Sequence, residues 1–298
     1  MKKYVITGSL GHISRPVVIG LVNAGKDVKV ITSKEEKVDE IEALGAKALV
    51  GLAQDKAFTR SAFKGAEVVY TMIPPIWQTN NWRASQFEIA ESYTEAIKAN
   101  GVKYAVNLSS IGVHMGGGVG PVDGMYDFEQ LLDKVGGLNV KHLRPSSFFN
   151  NLLAQIDLIK QAGIMGANYG SGDQKMAYVH TDDIAIAAIE ELLNLNFKGS
   201  SVRYILSDVV TSQKIVDVIG KSIDRQIAWV VFSDEEQKQG LLNAGLSETH
   251  ASAFTEMGAA LRSGRMQEEV LKFAPAPGSV KLEDFASEFS AAYGAVTV

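Results

Sequence analysis

The run Thr7-Gly8-Ser9-Leu10-Gly11-His12-Ile13-Ser14 stands directly between a short apolar segment, Tyr4-Val5-Ile6, and a stretch of helical periodicity that begins at about Ser14. Glycines at such a junction allow a tight turn and close approach to the backbone, while the first amides of the following helix face a pyrophosphate. The spacing is Gly-x-x-Gly-x-x-Ser rather than Gly-x-Gly-x-x-Gly, so its place in the chain carries more weight than its pattern. The combination predicts a dinucleotide site built on Gly8, Ser9, Leu10, Gly11, His12 and Ile13. An ordinary βα turn is the competing reading.

The choice of dinucleotide should show at the end of the second strand, where a carboxylate would bind the ribose hydroxyls of NAD. Thr32-Ser33-Lys34 stands there instead. A hydroxyl and an ammonium suit a 2′-phosphate through charge-assisted hydrogen bonds, so Ser33 and Lys34 predict NADP, with NADPH favoured over NADH. Alternatively Lys34, followed by Glu35 and Glu36, merely opens the next helix as a solvated charge.

These residues need a scaffold, and the first half of the chain supplies its pattern. Short β-branched runs alternate with helical periodicity, the mark of βαβ units and a parallel sheet. Strands are expected at 4–6, 28–31, 47–50, 67–73, 104–108 and 140–144, with helices at about 14–23, 35–44, 85–100 and 128–135. Another helix is expected from Phe148 to Gln161. Beyond it the pattern turns α+β: an extended 176–179, a helix at 181–193, and a strand near 202–206 that is free to return to the main sheet. Ser233 and Ser247 each precede a helix with Glu in its first turn, as N-caps do. Ala274-Pro275-Ala276-Pro277-Gly278 reads as a stiff linker before a last helix at 282–293. The expected architecture is a Rossmann-like, doubly wound parallel sheet over 1–150 with a smaller, α+β C-terminal substrate domain, mainly 151–298.

Composition removes several classes of function. With 29 basic and 34 acidic residues the net charge is -5, which lacks the basic footprint of a phosphate-backbone binder, so no direct nucleic-acid partner is expected. The absence of cysteine excludes disulfides, thiolate nucleophiles and Cys-ligated metals. His12, His114, His142, His180 and His250 are scattered, and no metal is expected. The longest apolar run, Val68 to Trp77, holds two prolines and is far short of the roughly 18 residues of a membrane span. A soluble, cytoplasmic protein acting on a small molecule is the expectation.

The chain resembles the NmrA-like group of atypical short-chain dehydrogenases/reductases, which includes NAD(P)H-dependent quinone reductase-like enzymes and NAD(P)-sensing regulators. The resemblance rests on TGSLGHIS, VVYTMIPP, VNLSSIG, LRPSSFFNNLL, AYVHTDDIAIAA and VRYILSD, in family order from residue 5 to about 210. It implies that Met72, Ile73 and Pro74 pass the nicotinamide side and that Phe148 and Asn151 approach the same ligand. Each also has a structural reading: Pro74-Pro75 as a strand terminator, Phe148 as core.

Catalysis departs from the pattern. Short-chain dehydrogenases commonly place Lys four residues after Tyr, because the ammonium lowers the phenol pKa from about 10. Tyr126 has Gln130 at that spacing, and Met125 stands where NmrA-like reductases often carry a lysine. Two readings survive. Tyr126 with Ser109 or Ser110 orients an acceptor, such as a quinone, that needs little general-acid help, the nicotinamide carrying the chemistry. Otherwise the chain binds NADP(H) without turnover as a sensor, for which a homo-oligomer or a protein partner is the expectation. A nucleotide-sugar epimerase is a third reading, but it would want the Tyr and Lys pair.

Other patterns fail. Gly220-Lys221-Ser222 lacks the glycine of a phosphate-binding loop five residues earlier, and Gly116 to Gly120 reads as a flexible loop able to act as a lid. His180 with Asp182 and Asp183 suggests an acid-base group, but Thr181 or Asp182 as an N-cap suffices.

Overall fold

The computed structural model describes residues 2–295. Along the chain run β1 (Lys3–Ile6), α1 (Ser14–Asn23), β2 (Asp27–Thr32), α2 (Val38–Ala43), β3 (Lys47–Val50), α3 (Lys56–Ala62), β4 (Val68–Thr71), α4 (Trp82–Asn100), β5 (Tyr104–Leu108), α5 (Asp123–Asp133) and β6 (Asn139–Pro145). They are followed by β7 (Ser147–Phe148), α6 (Ile156–Ala162), β8 (Ile164–Ala167), β9 (Lys175–Val179), α7 (Thr181–Asn194), β10 (Ser200–Ile205), β11 (Asp208–Thr211) and α8 (Ser212–Ser222). The remainder is β12 (Ala228–Val231), α9 (Asp234–Asn243), α10 (Glu248–Arg262), α11 (Glu268–Phe273) and α12 (Leu282–Ala295).

Two compact units emerge. The first takes the chain up to Gly116, then Val122–Arg144 and Ile184–Arg203; the second takes Gly117–Pro121, Pro145–Asp183 and the chain from Tyr204 onward. The first is dominated by a seven-stranded sheet of order β10-β6-β5-β4-β1-β2-β3. β1 pairs in parallel with β2 and β4, β2 with β3, β4 with β5, and β5 with β6. The sheet is the expected doubly wound, Rossmann-like α/β arrangement, and its order reverses between β1 and β4. β4 is buried throughout its length, as a strand covered on both faces must be. On one face Phe63 stacks on Tyr93, which tilts against Phe128. On the other, Gly20 of α1 lies against Ile189 of α7, and the Tyr4 hydroxyl donates to the Leu192 carbonyl at 3.0 Å.

The second unit holds a three-stranded sheet, β11-β9-β7, and a two-stranded one, β12-β8. Its core is an aromatic stack in which Phe149 lies parallel to Tyr178 at 5.3 Å and to Phe285 at 5.4 Å.

Several local expectations need correction. Phe148 does not begin a helix: it is extended, in register with Val179, and Phe149–Gln155 forms a 3-10 turn before α6. Adjacent asparagines are poor helix formers there. α4 starts at Trp82, not Ser85, because the Asn81 side chain accepts from Ala84 N. α5 starts at Asp123, five residues before the expected Phe128, and Glu35–Lys37 is a 3-10 turn before a short α2. α3 went unanticipated, although Asp55 caps it by accepting from Ala57 N and Phe58 N.

Candidate functional site

The turn after β1 sits at the reversal point of the sheet. Thr7 is fixed from two sides: its Oγ1 accepts from Met72 N at 2.9 Å, and its carbonyl accepts from Ser14 Oγ at 3.1 Å. The ends of β1 and β4 are thereby tied to the first residue of α1. Gly8 adopts φ +88, and a Cβ there would stand 2.8 Å from Met72 Cγ, Met72 Sδ and Ser14 Oγ. Ser9, also left-handed at φ +54, donates through Oγ to Thr32 Oγ1 at 3.0 Å. Gly11 is exposed, and a Cβ on it would meet only Gly8 O, at 3.5 Å, an ordinary contact. Among the described residues no side chain, those of its chain neighbours aside, comes within 4 Å of that position. α1 has no side-chain cap and no acidic residue in its first turn, so its positive dipole end is unopposed for an anion, although Arg15 N already donates to Gly11 O at 3.0 Å and Pro16 has no N–H to offer. Leu10 is half-buried and His12 exposed, whereas Ile13 packs inward.

At the end of β2, Ser33 and Lys34 are exposed. Thr32 Oγ1 accepts from Lys34 N at 3.2 Å as well as from Ser9, so one hydroxyl shapes both the glycine turn and the approach to Lys34. The Lys34 ammonium is 3.9 Å from Glu36, a loose surface pair. Arg15 and Lys37 share Glu40 nearby. Thr32, which sequence reasoning passed over, carries a readable signal: a hydroxyl residue closing the strand next to the glycine turn.

Beyond β4, Met72 covers Gly8 and Pro74 is half-buried, but Ile73 belongs to the hydrophobic core with Val5 and Ile31. Only the backbone of Ile73 is left for a ligand. Thr71 Oγ1 donates to Asn107 Oδ1 at 3.0 Å, Asn107 Nδ2 lies 3.2 Å from His142 Nδ1, and His142 Nε2 lies 3.0 Å from Asp133. That chain, buried from Thr71 to His142 and reaching the surface at Asp133, explains Asn107 and His142 as structural. Ser109, just past β5, is 3 % exposed and its Oγ has no hydrogen-bond partner among the described residues. A buried hydroxyl without a partner costs roughly 1–3 kcal/mol, a cost that a bound ligand's polar group would relieve.

Tyr126 lies half-buried on α5, its ring against Gly116 at 3.8 Å from a Cβ built there. Glu129, one turn on, is buried and bidentate with Arg144, which fixes the rotation of the helix that carries Tyr126. The start of α5 is held by Arg83 of α4, whose guanidinium is bidentate to Asp127 at 2.7 Å and 3.8 Å from Asp123, and lies within Coulombic range of Tyr126.

Phe148 and Asn151 belong to the second unit, Phe148 half-buried on β7 and Asn151 exposed. In that unit their neighbours Ser146 and Asn150 each carry a buried polar atom, Ser146 Oγ and Asn150 Oδ1, with no hydrogen-bond partner among the described residues. The His180 and Asp183 motif is structural. The amide of Asp182 donates to His180 Nδ1, so the imidazole, rather than Thr181 or Asp182, meets the start of α7. Asp183, 6 % exposed, accepts from Ser207 Oγ at 2.5 Å, Ser279 N at 2.9 Å, Ser279 Oγ at 3.0 Å and Val280 N at 3.2 Å, tying down the linker before α12. Gly120 of the glycine-rich loop donates to Glu256 at 3.1 Å and abuts the Ala253 carbonyl, so its tip is anchored on α10.

Residues 1–285 match the family profile described as the NmrA-like family. The chain belongs to that family. Its relatives include the NAD(P)H azoreductase of Xenophilus azovorans, 22% identical over 253 residues, which are 85% of each protein. In structure it is similar to the NADPH-dependent quinone oxidoreductase QOR2 of Escherichia coli, solved with NADPH, at TM-score 0.81 and 21% identity over 96% of this chain and 99% of that one. The Citrobacter sp. triphenylmethane reductase, solved with NADP(H), gives TM-score 0.78 at 15% identity over 96% of this chain and 99% of its own. Among the described residues of this NmrA-like chain no helix is long and apolar enough to cross a membrane, and no three His, Asp or Glu side chains gather as a metal site would need.

Proposed function

We propose that this NmrA-like chain is an NADPH-dependent oxidoreductase that passes hydride to a quinone or a similar small electrophile. The observation that carries the reading is the sheet's reversal point: an uncapped, acid-free helix N-terminus beside Gly8 and Gly11, next to a strand end bearing Thr32, Ser33 and Lys34 in place of a carboxylate. The glycine turn and the positive N-terminal end of α1 hold the pyrophosphate, Ser33 and Lys34 the 2′-phosphate, and Met72 and Pro74 flank the nicotinamide side. When bound, the dinucleotide supplies the hydride. Ser109 Oγ and the Tyr126 hydroxyl orient the acceptor, and the oxyanion formed takes its proton from water or from Tyr126. The three relatives named above, whose names carry NAD(P)H, NADPH or NADP(H), support the reductase class. Nucleotide binding is assigned to residues 1–150, and acceptor choice mainly to 151–298. Phe148 and Asn151 carry over from the resemblance, and their alanine variants are expected to weaken NADPH.

The test is the loss of NADPH absorbance when the protein meets a panel of quinones, with NADH in parallel. Turnover with NADPH supports the enzyme. Binding of NADPH without turnover supports a second reading, a nucleotide-dependent regulator, which Met125 and Gln130 favour because neither supplies Tyr126 with a cation.

A further inference from the structure

The helix that carries Tyr126 surrounds it with acids. α5 holds no basic residue, and its charged side chains are Asp123, Asp127, Glu129 and Asp133. Glu129 is committed to Arg144, and Asp133 lies against His142. That leaves Asp123, three residues before Tyr126, and Asp127, the residue after it, with side chains only 15 % and 19 % exposed. Carboxylates beside a phenol oppose the loss of its proton, the reverse of what a lysine does there. Met125 and Gln130 leave both lysine positions of the helix neutral.

The cation comes from α4 instead. Arg83 donates from Nε and Nη2 to the two oxygens of Asp127, each at 2.7 Å, its Nη1 lies 3.8 Å from Asp123, and its charge is felt at Tyr126. Its own helix does not explain it: the second residue of α4 stands at the positive end of the helix dipole, where a cation is disfavoured, and the first turn of α4 has no acid. The bidentate fork fixes the position of the guanidinium as well as its charge. Further along α4, Glu88 is exposed, and Glu91 and Glu95 pair with Lys56 of α3. The 3-10 turn Val113–Met115, which also packs on α5, brings the exposed His114.

We propose that Arg83 is a positioning residue of this site: gripped by Asp123 and Asp127, it supplies from α4 the fixed cation that Tyr126 lacks on its own helix, and so lets the hydroxyl exchange a proton. The inference rests on the proton role given to Tyr126, but its test needs no turnover. The charge beside the hydroxyl comes from groups of both signs on two helices, so each sign is removable by itself. The chain is labelled with 3-fluorotyrosine, and the fluorine resonance of residue 126 is identified by its loss in Tyr126→Phe. Its titration midpoint is then followed in the wild type, Arg83→Gln, Arg83→Lys and Asp127→Asn.

Arg83→Gln leaves both carboxylates without their cation and should raise the midpoint by about 0.5–1 pH unit; Asp127→Asn leaves the cation with one acid and should lower it by about as much. Arg83→Lys keeps the charge without the fork, so its midpoint should stay within about 0.3 of the wild type. A merely structural clamp would make Lys fail as Gln does and would give no fall in Asp127→Asn, and either result overturns the assignment. So does a rise in Lys56→Gln equal to that in Arg83→Gln, which would reduce the effect to net charge. If Arg83→Gln unfolds, the opposite behaviour of Arg83→Lys and Asp127→Asn still decides. In the enzyme the alkaline limb of kcat/KM should move with the midpoint. Midpoints that shift as expected beside a limb that stays in place, or without any turnover, would sink the catalytic reading of Tyr126 and leave the charge assignment standing.

Discussion

Met72 lies across Gly8: a Cβ on that glycine would stand 2.8 Å from both Met72 Cγ and Met72 Sδ. The contact joins the turn after β1 to the end of β4 at the point where the sheet order reverses, so the two halves of the candidate dinucleotide site are built as one piece. Gly11, three residues on, has no such neighbour, its nearest contact being Gly8 O at 3.5 Å.

The two glycines should therefore fail differently. Gly8→Ala must adopt φ +88 and displace Met72, and is expected to cost about 2–4 kcal/mol in a urea melt. Gly11→Ala should change stability by no more than about 0.5 kcal/mol, yet weaken NADPH roughly tenfold or more, because its methyl would enter the space proposed for the pyrophosphate. If Gly11→Ala binds NADPH as the wild type does, the pyrophosphate does not lie at this turn.

Lys34→Glu tests the proposed preference between the two nicotinamide dinucleotides. Its ion pair with Glu36, at 3.9 Å, is exposed and weak, so Lys34→Glu should leave the unfolding midpoint in place. NADPH affinity should fall by about 1.5–3 kcal/mol, roughly ten- to a hundredfold, and NADH affinity by less than about twofold. Equal losses for both would remove the 2′-phosphate from Ser33 and Lys34.

What was legible in the sequence follows from how local each signal is. Hydrophobic runs and helix stops located β1, α1, β2 and β3 closely: β1 and β2 are apolar where a parallel strand is covered on both faces, and β3, the half-buried edge strand, still shows the apolar run Ala48-Leu49-Val50. The glycine turn was legible for the same reason. Starts of helices were less so: Asn81 and Asp55 are single capping residues in polar stretches that hold other candidates. Roles set by distant partners were hidden. The buried Asp183 is explained by Ser207, Ser279 and Val280, far along the chain, and the pairing of Arg83 with Asp127 spans 44 residues. Nor could periodicity show that Ser109 is buried without a partner, or that Ile73 turns into the core.

Ser109 should show opposite effects on stability and on activity. Its Oγ is buried with no acceptor or donor beside it, so Ser109→Ala is expected to stabilise the ligand-free protein by about 1 kcal/mol while lowering kcat/KM for the acceptor. Urea melts without dinucleotide and steady-state rates with it measure the two sides. A variant less stable than the wild type would mean that the hydroxyl has a structural partner after all.

Tyr126→Phe tests the proton. Phenylalanine keeps the ring against Gly116 and removes only the hydroxyl, so a fall in kcat of about a hundredfold, accompanied by a changed solvent isotope effect, is the outcome expected of a proton donor. An unchanged kcat assigns the proton to water and leaves Tyr126 as the wall of the site.

Asp183 sets an acid limit on the second unit. Burial by itself would raise its carboxyl, but the donors from Ser207, Ser279 and Val280 outweigh that and hold it below the ordinary aspartate value. A carboxylate whose folded pKa is depressed contributes stability above its unfolded pKa of about 3.9, and that contribution is lost as pH falls through the folded value. Asp183→Asn presents an amide donor to groups that are themselves donors, so it should cost about 1.5–3 kcal/mol near pH 7. The variant no longer titrates, so the difference from wild type should shrink below about pH 4, where the wild-type carboxylate begins to be protonated in the unfolded chain. Urea melts from pH 7 to pH 3 read this directly: parallel curves for the two proteins would show that the charge on Asp183 does not hold the linker before α12.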